Sequence, residues 1–189
     1  KAAKQMTPDN PALLPHLFVF SDPSRRSPEE LLAVVAQFDV AHSLRYQPRE
    51  LFRPGHIDTW CNIFASDVAR AMGVQLPHWV DDAGKPTMPG HGRELAVDGM
   101  VAWLGKHGPA YGWRQCNEVE ARANAAAGRF SVVTWNPPGA VGHIAVIVPS
   151  PAKVTITTIA QAGRTCFPSG SIYAGFGAHV PECQFWAAP

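Results

Sequence analysis

The sequence lacks the features that define several large classes of protein. No apolar run reaches the roughly 20 residues that a membrane-spanning helix needs. The candidate Leu13 to Phe20 is too short, and two prolines bracket its start. Sixteen basic and 15 acidic residues give a formal net charge of +1, so nothing indicates binding to nucleic acid. Charged residues make up only 16% and hydrophobic residues 46%, which is typical of a compact globular protein.

The sequence also lacks a cysteine pattern typical of a metal site. Cys61, Cys116, Cys166 and Cys183 lie at irregular spacing without a CxxC pair, which argues against a zinc ribbon. The histidines and acidic residues of segment 78–107 have no HExxH-type spacing, so we expect no metal. Cys166 and Cys183 flank a segment rich in glycine and proline. They would form one disulfide if the protein works outside the cytoplasm, and the spacing leaves this open.

The order of predicted elements indicates the fold class. Four prolines in residues 1–26 predict an irregular arm, and residues 27–189 form a single domain. Ser27 and Pro28 predict a helix start, with apolar residues at helical spacing to about His42. Helices that precede an antiparallel sheet make an α+β fold. The other predicted helices are 61–73, 94–106 and 117–127, and the predicted strands are 130–135, 144–148, 154–159 and 184–186.

Cys61 stands at the start of an amphipathic helical pattern over residues 60–73. Asp58 and Thr59 are suitable N-caps, so we expect Cys61 in the first helical turn. The free N–H groups of that turn would favour a thiolate and help to hold an oxyanion, and we assign Asn62 to this support. The pattern predicts a nucleophile. The commoner alternative for a free cysteine is a small buried apolar residue.

A second informative segment, Gly142 to Val148, places His143 at the start of a pattern typical of a strand. An imidazole beside a thiol accepts its proton, and a third polar group that orients the ring completes the arrangement of a cysteine hydrolase. Gln161 follows the predicted strand 154–159, and neighbouring antiparallel strands would bring it beside His143. The alternatives are a core or turn histidine and a solvated strand end.

These segments resemble a known family. Residues 61–68 (CNIFASDV), 142–147 (GHIAVI) and 159–163 (IAQAG) look like the three motifs of NlpC-type and CHAP-type papain-fold peptidoglycan hydrolases. The family includes phage endolysins and the cell-wall amidase effectors of type VI secretion. The resemblance covers about residues 45–165. It implies a papain-like core of helices packed on a small antiparallel sheet. It also implies an amidase or endopeptidase that cleaves peptidoglycan peptide stems without a cofactor.

The same resemblance implies further roles. Tyr46 lies where such enzymes often have a tyrosine that supports the oxyanion hole. Trp60 and Asn62 replace the Asp and Ser that commonly flank the cysteine in the NlpC branch. Ala160 replaces the carboxylate of many CHAP domains, which leaves Gln161 as the third member of the catalytic group. These replacements leave open which bond of the substrate is cleaved. The implied protein is a monomer, secreted or delivered to the bacterial periplasm or cell wall. Its implied partners are peptidoglycan and, for the effectors, an immunity protein.

Two alternative functions stay open at this stage. The same catalytic pair could act on a protein or lipid amide, or the fold could serve as a non-catalytic module that binds the cell wall. Trp60, Trp79 and Trp135 are candidates for lining a substrate groove, and packing in the core or at its rim is the alternative for each of them.

Overall fold

The computed structural model describes residues 17–189, so the prediction of an irregular arm lies outside the described residues over positions 1–16. None of the helices in residues 17–189 combines the length and the apolar character needed to cross a membrane. The helices are α1 (Pro28–Ala36), α2 (Cys61–Ala71), α3 (Val97–Lys106), α4 (Glu118–Ala126) and α5 (Ile172–Phe176). The strands are β1 (Trp79–Val80), β2 (Arg93–Glu94), β3 (Arg114–Cys116), β4 (Ser131–Trp135), β5 (His143–Val148), β6 (Thr158–Ala162), β7 (Cys166–Ser171) and β8 (Gln184–Ala187).

Helix α1 begins as its capping residues predict but ends early. The Ser27 side chain accepts a hydrogen bond of 3.1 Å from the Glu30 N–H, which caps the first turn. The prediction of a helix to about His42 is wrong, because α1 ends at Ala36. Asp39 has a φ of 43°, a left-handed conformation that a right-handed helix cannot include.

The main sheet has six strands in the order β3-β8-β4-β5-β6-β7, and every neighbouring pair is antiparallel. The predicted α+β class is therefore confirmed. The predicted strand 154–159 lies too early, because Val154 and Ile156 are exposed while every residue of β6 is buried. A strand covered on both faces shows no alternation of apolar and polar residues, so its sequence does not mark its bounds.

Helix α2 packs against β5 and β6 on one side and against α1 on another. Eight of its 11 residues are buried, so it forms the centre of the core rather than a half-exposed surface helix. This packing fixes the start of α2 close to the ends of the central strands. The first residue of α2 and the first residue of β5 are the two members of the predicted catalytic pair.

Candidate active site

Cys61 is the first residue of α2, as predicted, and it is only 4% exposed. The predicted caps are wrong, because Trp60 is the N-cap residue and its side chain makes no capping bond. The Asp58 carboxylate instead accepts hydrogen bonds from the N–H groups of Leu51 (3.2 Å) and Phe52 (3.0 Å). These bonds fold the loop that leads into α2. They leave the first turn of α2 without a capping carboxylate beside the thiol.

His143 begins β5 and lies opposite Trp135 of β4 in the antiparallel register. The strands approach closely just before this position, since a Cβ on Gly142 would lie 2.6 Å from the Trp135 carbonyl oxygen. Glycine at 142 therefore allows the chain to enter β5 at this point. Because α2 packs on β5, the His143 imidazole lies beside the Cys61 thiol and interacts with it.

Gln161 lies in β6 and is 3% exposed. Its side-chain carbonyl oxygen is 2.8 Å from His143 Nε2, and its Nε2 donates to the Thr165 carbonyl oxygen at 2.9 Å. The first bond requires Nε2 of the ring to carry the hydrogen, which leaves Nδ1 for the thiol. A register irregularity between Ile159 and Gln161 marks the place where β6 departs from regular pairing with β7. The structure thus brings all three predicted residues together.

The thiol and the imidazole shift each other's pKa toward the charged forms. Burial raises the pKa of Cys61, but the hydrogen bond and charge of His143 and the N–H groups of Ile144 and Asn62 lower it below its usual value. Burial lowers the pKa of His143, but Cys61 and the Gln161 carbonyl outweigh this effect and leave that pKa raised. Opposite shifts of this kind favour a thiolate beside an imidazolium.

Residues 17–189 form a cleft of about 340 Å³ and another of about 730 Å³, and the larger of these two is lined by predicted site residues. His143 and Gln161 line the larger cleft, as does Trp135. The Trp135 ring stacks on His179 with ring centroids 4.0 Å apart, and its Nε1 donates to Glu182 at 2.9 Å. Trp135 therefore forms a fixed aromatic wall beside the imidazole.

The other two candidate groove tryptophans lie elsewhere. Trp60 is buried, and its Nε1 donates to the Gln47 carbonyl oxygen at 2.9 Å, so it packs beneath the loop rather than lining the cleft. Trp79 lines the smaller cleft, together with Asp67 and Arg70 of α2, and His143 is not part of that lining. The packing alternative therefore describes Trp60, and Trp79 faces a different depression.

The two residues assigned to support an oxyanion have side chains with other partners. The Tyr46 hydroxyl donates to the Asp67 carboxylate at 2.6 Å, and Asn62 Nδ2 donates to the Leu95 carbonyl oxygen at 3.0 Å. Asn62 therefore contacts the thiol through its backbone N–H and not through its side chain. Burial and the adjacent Asp67 charge raise the pKa of Tyr46 far above its usual value, so its hydroxyl stays protonated.

Asp67 is buried, although a charged side chain in a helical pattern is typical of an exposed face. It is 5% exposed and binds the buried guanidinium of Arg45 through Nε at 2.7 Å and Nη2 at 3.2 Å. Together with Tyr46, these residues join the loop before α2 to α2 itself. Arg45 has no motif or periodicity that would reveal this role in the sequence. The network holds the cysteine helix and its leading loop in one position.

All four cysteines are free thiols, so the Cys166–Cys183 disulfide does not form in this structure. Cys166 donates to the Tyr46 carbonyl oxygen at 3.3 Å, and Cys183 lies against the His179 carbonyl oxygen at 3.5 Å. Within residues 17–189 no group of three or more His, Cys, Asp or Glu side chains is placed to hold a metal ion.

No protein-family model matches the chain, and no curated protein matches it significantly in sequence.

Proposed function

We propose that this protein is a cysteine hydrolase with a papain-like core that cleaves amide bonds in the peptide stems of peptidoglycan. The observation that carries the proposal is the chain of contacts from the Cys61 thiol through the His143 imidazole to the Gln161 amide. A buried cysteine at a helix start, with its pKa lowered by an oriented histidine, is the chemical requirement for a thiolate nucleophile.

In the proposed reaction, the Cys61 thiolate attacks the carbonyl carbon of the scissile amide. The first-turn N–H groups of α2, which have no acceptor within the helix, would stabilise the oxyanion that forms. The His143 imidazolium then donates its proton to the leaving amine, and a thioester remains on Cys61. His143 next takes a proton from water, the hydroxide attacks the thioester, and the carboxylic acid product leaves with the thiol restored.

Gln161 acts as a positioning residue in this scheme. Its carbonyl oxygen accepts the hydrogen on His143 Nε2, and its own NH₂ group is fixed by the Thr165 carbonyl. The ring therefore keeps the tautomer and orientation in which Nδ1 faces the thiol. All the groups that the reaction needs belong to the chain and to water.

Peptidoglycan is proposed as the substrate on the motif resemblance of residues 61–68, 142–147 and 159–163, together with the cleft beside His143. That cleft, of about 730 Å³, falls in the size range of pockets that hold compact ligands such as short peptides. The aromatic wall formed by Trp135 and His179 offers an apolar surface to a peptide or sugar.

The experiment is digestion of purified peptidoglycan, with the released fragments identified by mass spectrometry. The wild-type protein should release fragments cut at an amide of the stem, and Cys61→Ala should release none while keeping the folded structure. Cys116→Ala is the matched control, because Cys116 lies on β3 and outside the cleft. Equal digestion by wild type and Cys61→Ala would refute the mechanism. A reactive Cys61 without digestion would move the activity to a protein or lipid amide, and an unreactive Cys61 would favour a binding module.

A further inference from the structure

The cleft beside His143 carries more positive than negative charge. Arg53, from the loop before α2, and Arg164, from the turn between β6 and β7, both line it. The side chains of both arginines are exposed and make no hydrogen bond or ion pair with residues 17–189. In contrast, Arg45, Arg70 and Arg114 each have an acidic partner.

Among the residues that the structure describes, Asp58 is the one carboxylate in the cleft lining, and its own loop binds it. Asp58 accepts two backbone hydrogen bonds at 3.2 Å and 3.0 Å, and its other oxygen lies 3.6 Å from His56 Nε2. Two arginines therefore line the cleft together with a single acid, one oxygen of which accepts two backbone hydrogen bonds from its own loop. An anionic group that entered the cleft would meet two guanidinium groups whose N–H donors have no acceptor within residues 17–189.

We propose that Arg53 and Arg164 bind a free carboxylate of the substrate beside the scissile amide. This inference rests on the proposed function, because it names the substrate class of the same site: amides that carry a neighbouring carboxylate. A guanidinium matches a carboxylate with two parallel hydrogen bonds, and it stays charged at any working pH. Peptide stems with free carboxyl groups satisfy this requirement, and stems with those groups converted to carboxamides do not.

The first test uses two reagents that attack the same thiol, anionic iodoacetate and neutral iodoacetamide. The measured quantity is the ratio of their second-order rates at Cys61, located by peptide mass mapping. Arg53→Ala and Arg164→Ala should each lower the ratio about threefold to fivefold by slowing iodoacetate alone, the size expected for an exposed charge pair. The effect should shrink at high salt. Because His143 also attracts the anion, the change in the ratio, and not its absolute value, is decisive.

The matched control is Arg129→Ala. Arg129 is also exposed and without a side-chain partner within residues 17–189, but it lies outside the cleft. Its loss should leave the ratio unchanged. The second test measures kcat/KM for a synthetic stem tetrapeptide with free carboxylates and for the same peptide as carboxamides. The wild type should prefer the carboxylate peptide, and the two arginine variants should lose that preference while still cleaving the carboxamide.

The outcomes separate the two proposals. If iodoacetamide labels Cys61 no faster than the other thiols, the proposed function fails and the inference fails with it. If iodoacetamide labels Cys61 rapidly, but the rate ratio is the same in the wild type and in both arginine variants, the hydrolase proposal stands and the carboxylate site is overturned. A preference for the carboxylate peptide that persists in both arginine variants would also overturn the proposed carboxylate site.

Discussion

Replacing Gly175 by alanine should disable the site without touching a reacting atom. Gly175 lies in α5, and a Cβ built there would come within 2.4 Å of Gln161 Oε1 and 2.7 Å of Ile159 Cδ1. The Ile159 methyl can rotate away. The Gln161 amide cannot move away without losing hydrogen bonds, because it is bonded to His143 at one end and to Thr165 at the other.

The size of the effect follows from these distances. The Gln161 oxygen would have to retreat by about 1 Å to reach ordinary contact, and a bond of 2.8 Å to His143 would then exceed hydrogen-bonding range. A misplacement of this size at a catalytic group costs up to about 100-fold in rate, so we expect kcat to fall about tenfold to 100-fold. The fold should persist, since alanine is the better helix former of the two residues.

The assay is kcat on a soluble muropeptide, together with the thermal unfolding midpoint. Gly105→Ala is the control, because Gly105 lies in α3 with nothing within 4 Å of its added Cβ. The double variant Gly175→Ala/Gln161→Ala should be no slower than Gln161→Ala alone, which tests whether the loss passes through the amide. Wild-type kcat in Gly175→Ala would refute the claim that the Gln161–His143 bond orients the imidazole.

Two other predictions concern the thiols and the buried network. Near pH 6, iodoacetamide should label Cys61 much faster than Cys116, Cys166 or Cys183, because the pKa of Cys61 is lowered while burial raises the other three, that of Cys183 to about 12. The labelling rate should fall as the pH drops through the lowered Cys61 pKa, and His143→Ala should abolish the selectivity; equal labelling of all four would contradict the ion pair. Asp67→Ala should cost about 3 kcal/mol in the free energy of unfolding by urea, because it removes the carboxylate that binds the buried Arg45 and Tyr46. Asp82→Ala, an exposed site, should change stability by less than about 0.5 kcal/mol, and a similar small change in Asp67→Ala would show that the network contributes little.

The sequence predicts the parts of the site that depend on local patterns. Cys61 lies at a helix start because an amphipathic pattern begins there, and His143 begins a strand because apolar β-branched residues follow it. Both signals are readable within a window of about ten residues. The sequence predicts Gln161 just after a strand, whereas the residue lies within β6. The antiparallel pairing of β5 and β6 still brings it to His143.

The parts that the sequence does not predict depend on contacts between distant segments. Strand β7 contains Pro168 and Gly170, which indicate a turn, but it lies at the edge of the sheet, where a strand tolerates proline. Asp67 has the polarity of a surface residue, and its burial depends on Arg45, 22 residues earlier. Arg53 and Arg164 meet at one cleft only after the sheet has formed.

The neutral third member of the site and the positive charge of the cleft support each other. A carboxylate at position 161 would hold a buried negative charge against His143, close to the place where an anionic substrate enters. The glutamine amide orients the same ring nitrogen without that charge, because only its carbonyl oxygen faces His143. The single acid of the cleft lining, Asp58, is bound by backbone N–H groups of its own loop. Among the described residues, a substrate carboxylate would therefore meet two guanidinium groups and an imidazolium against one carboxylate, so the net charge of the lining favours its binding.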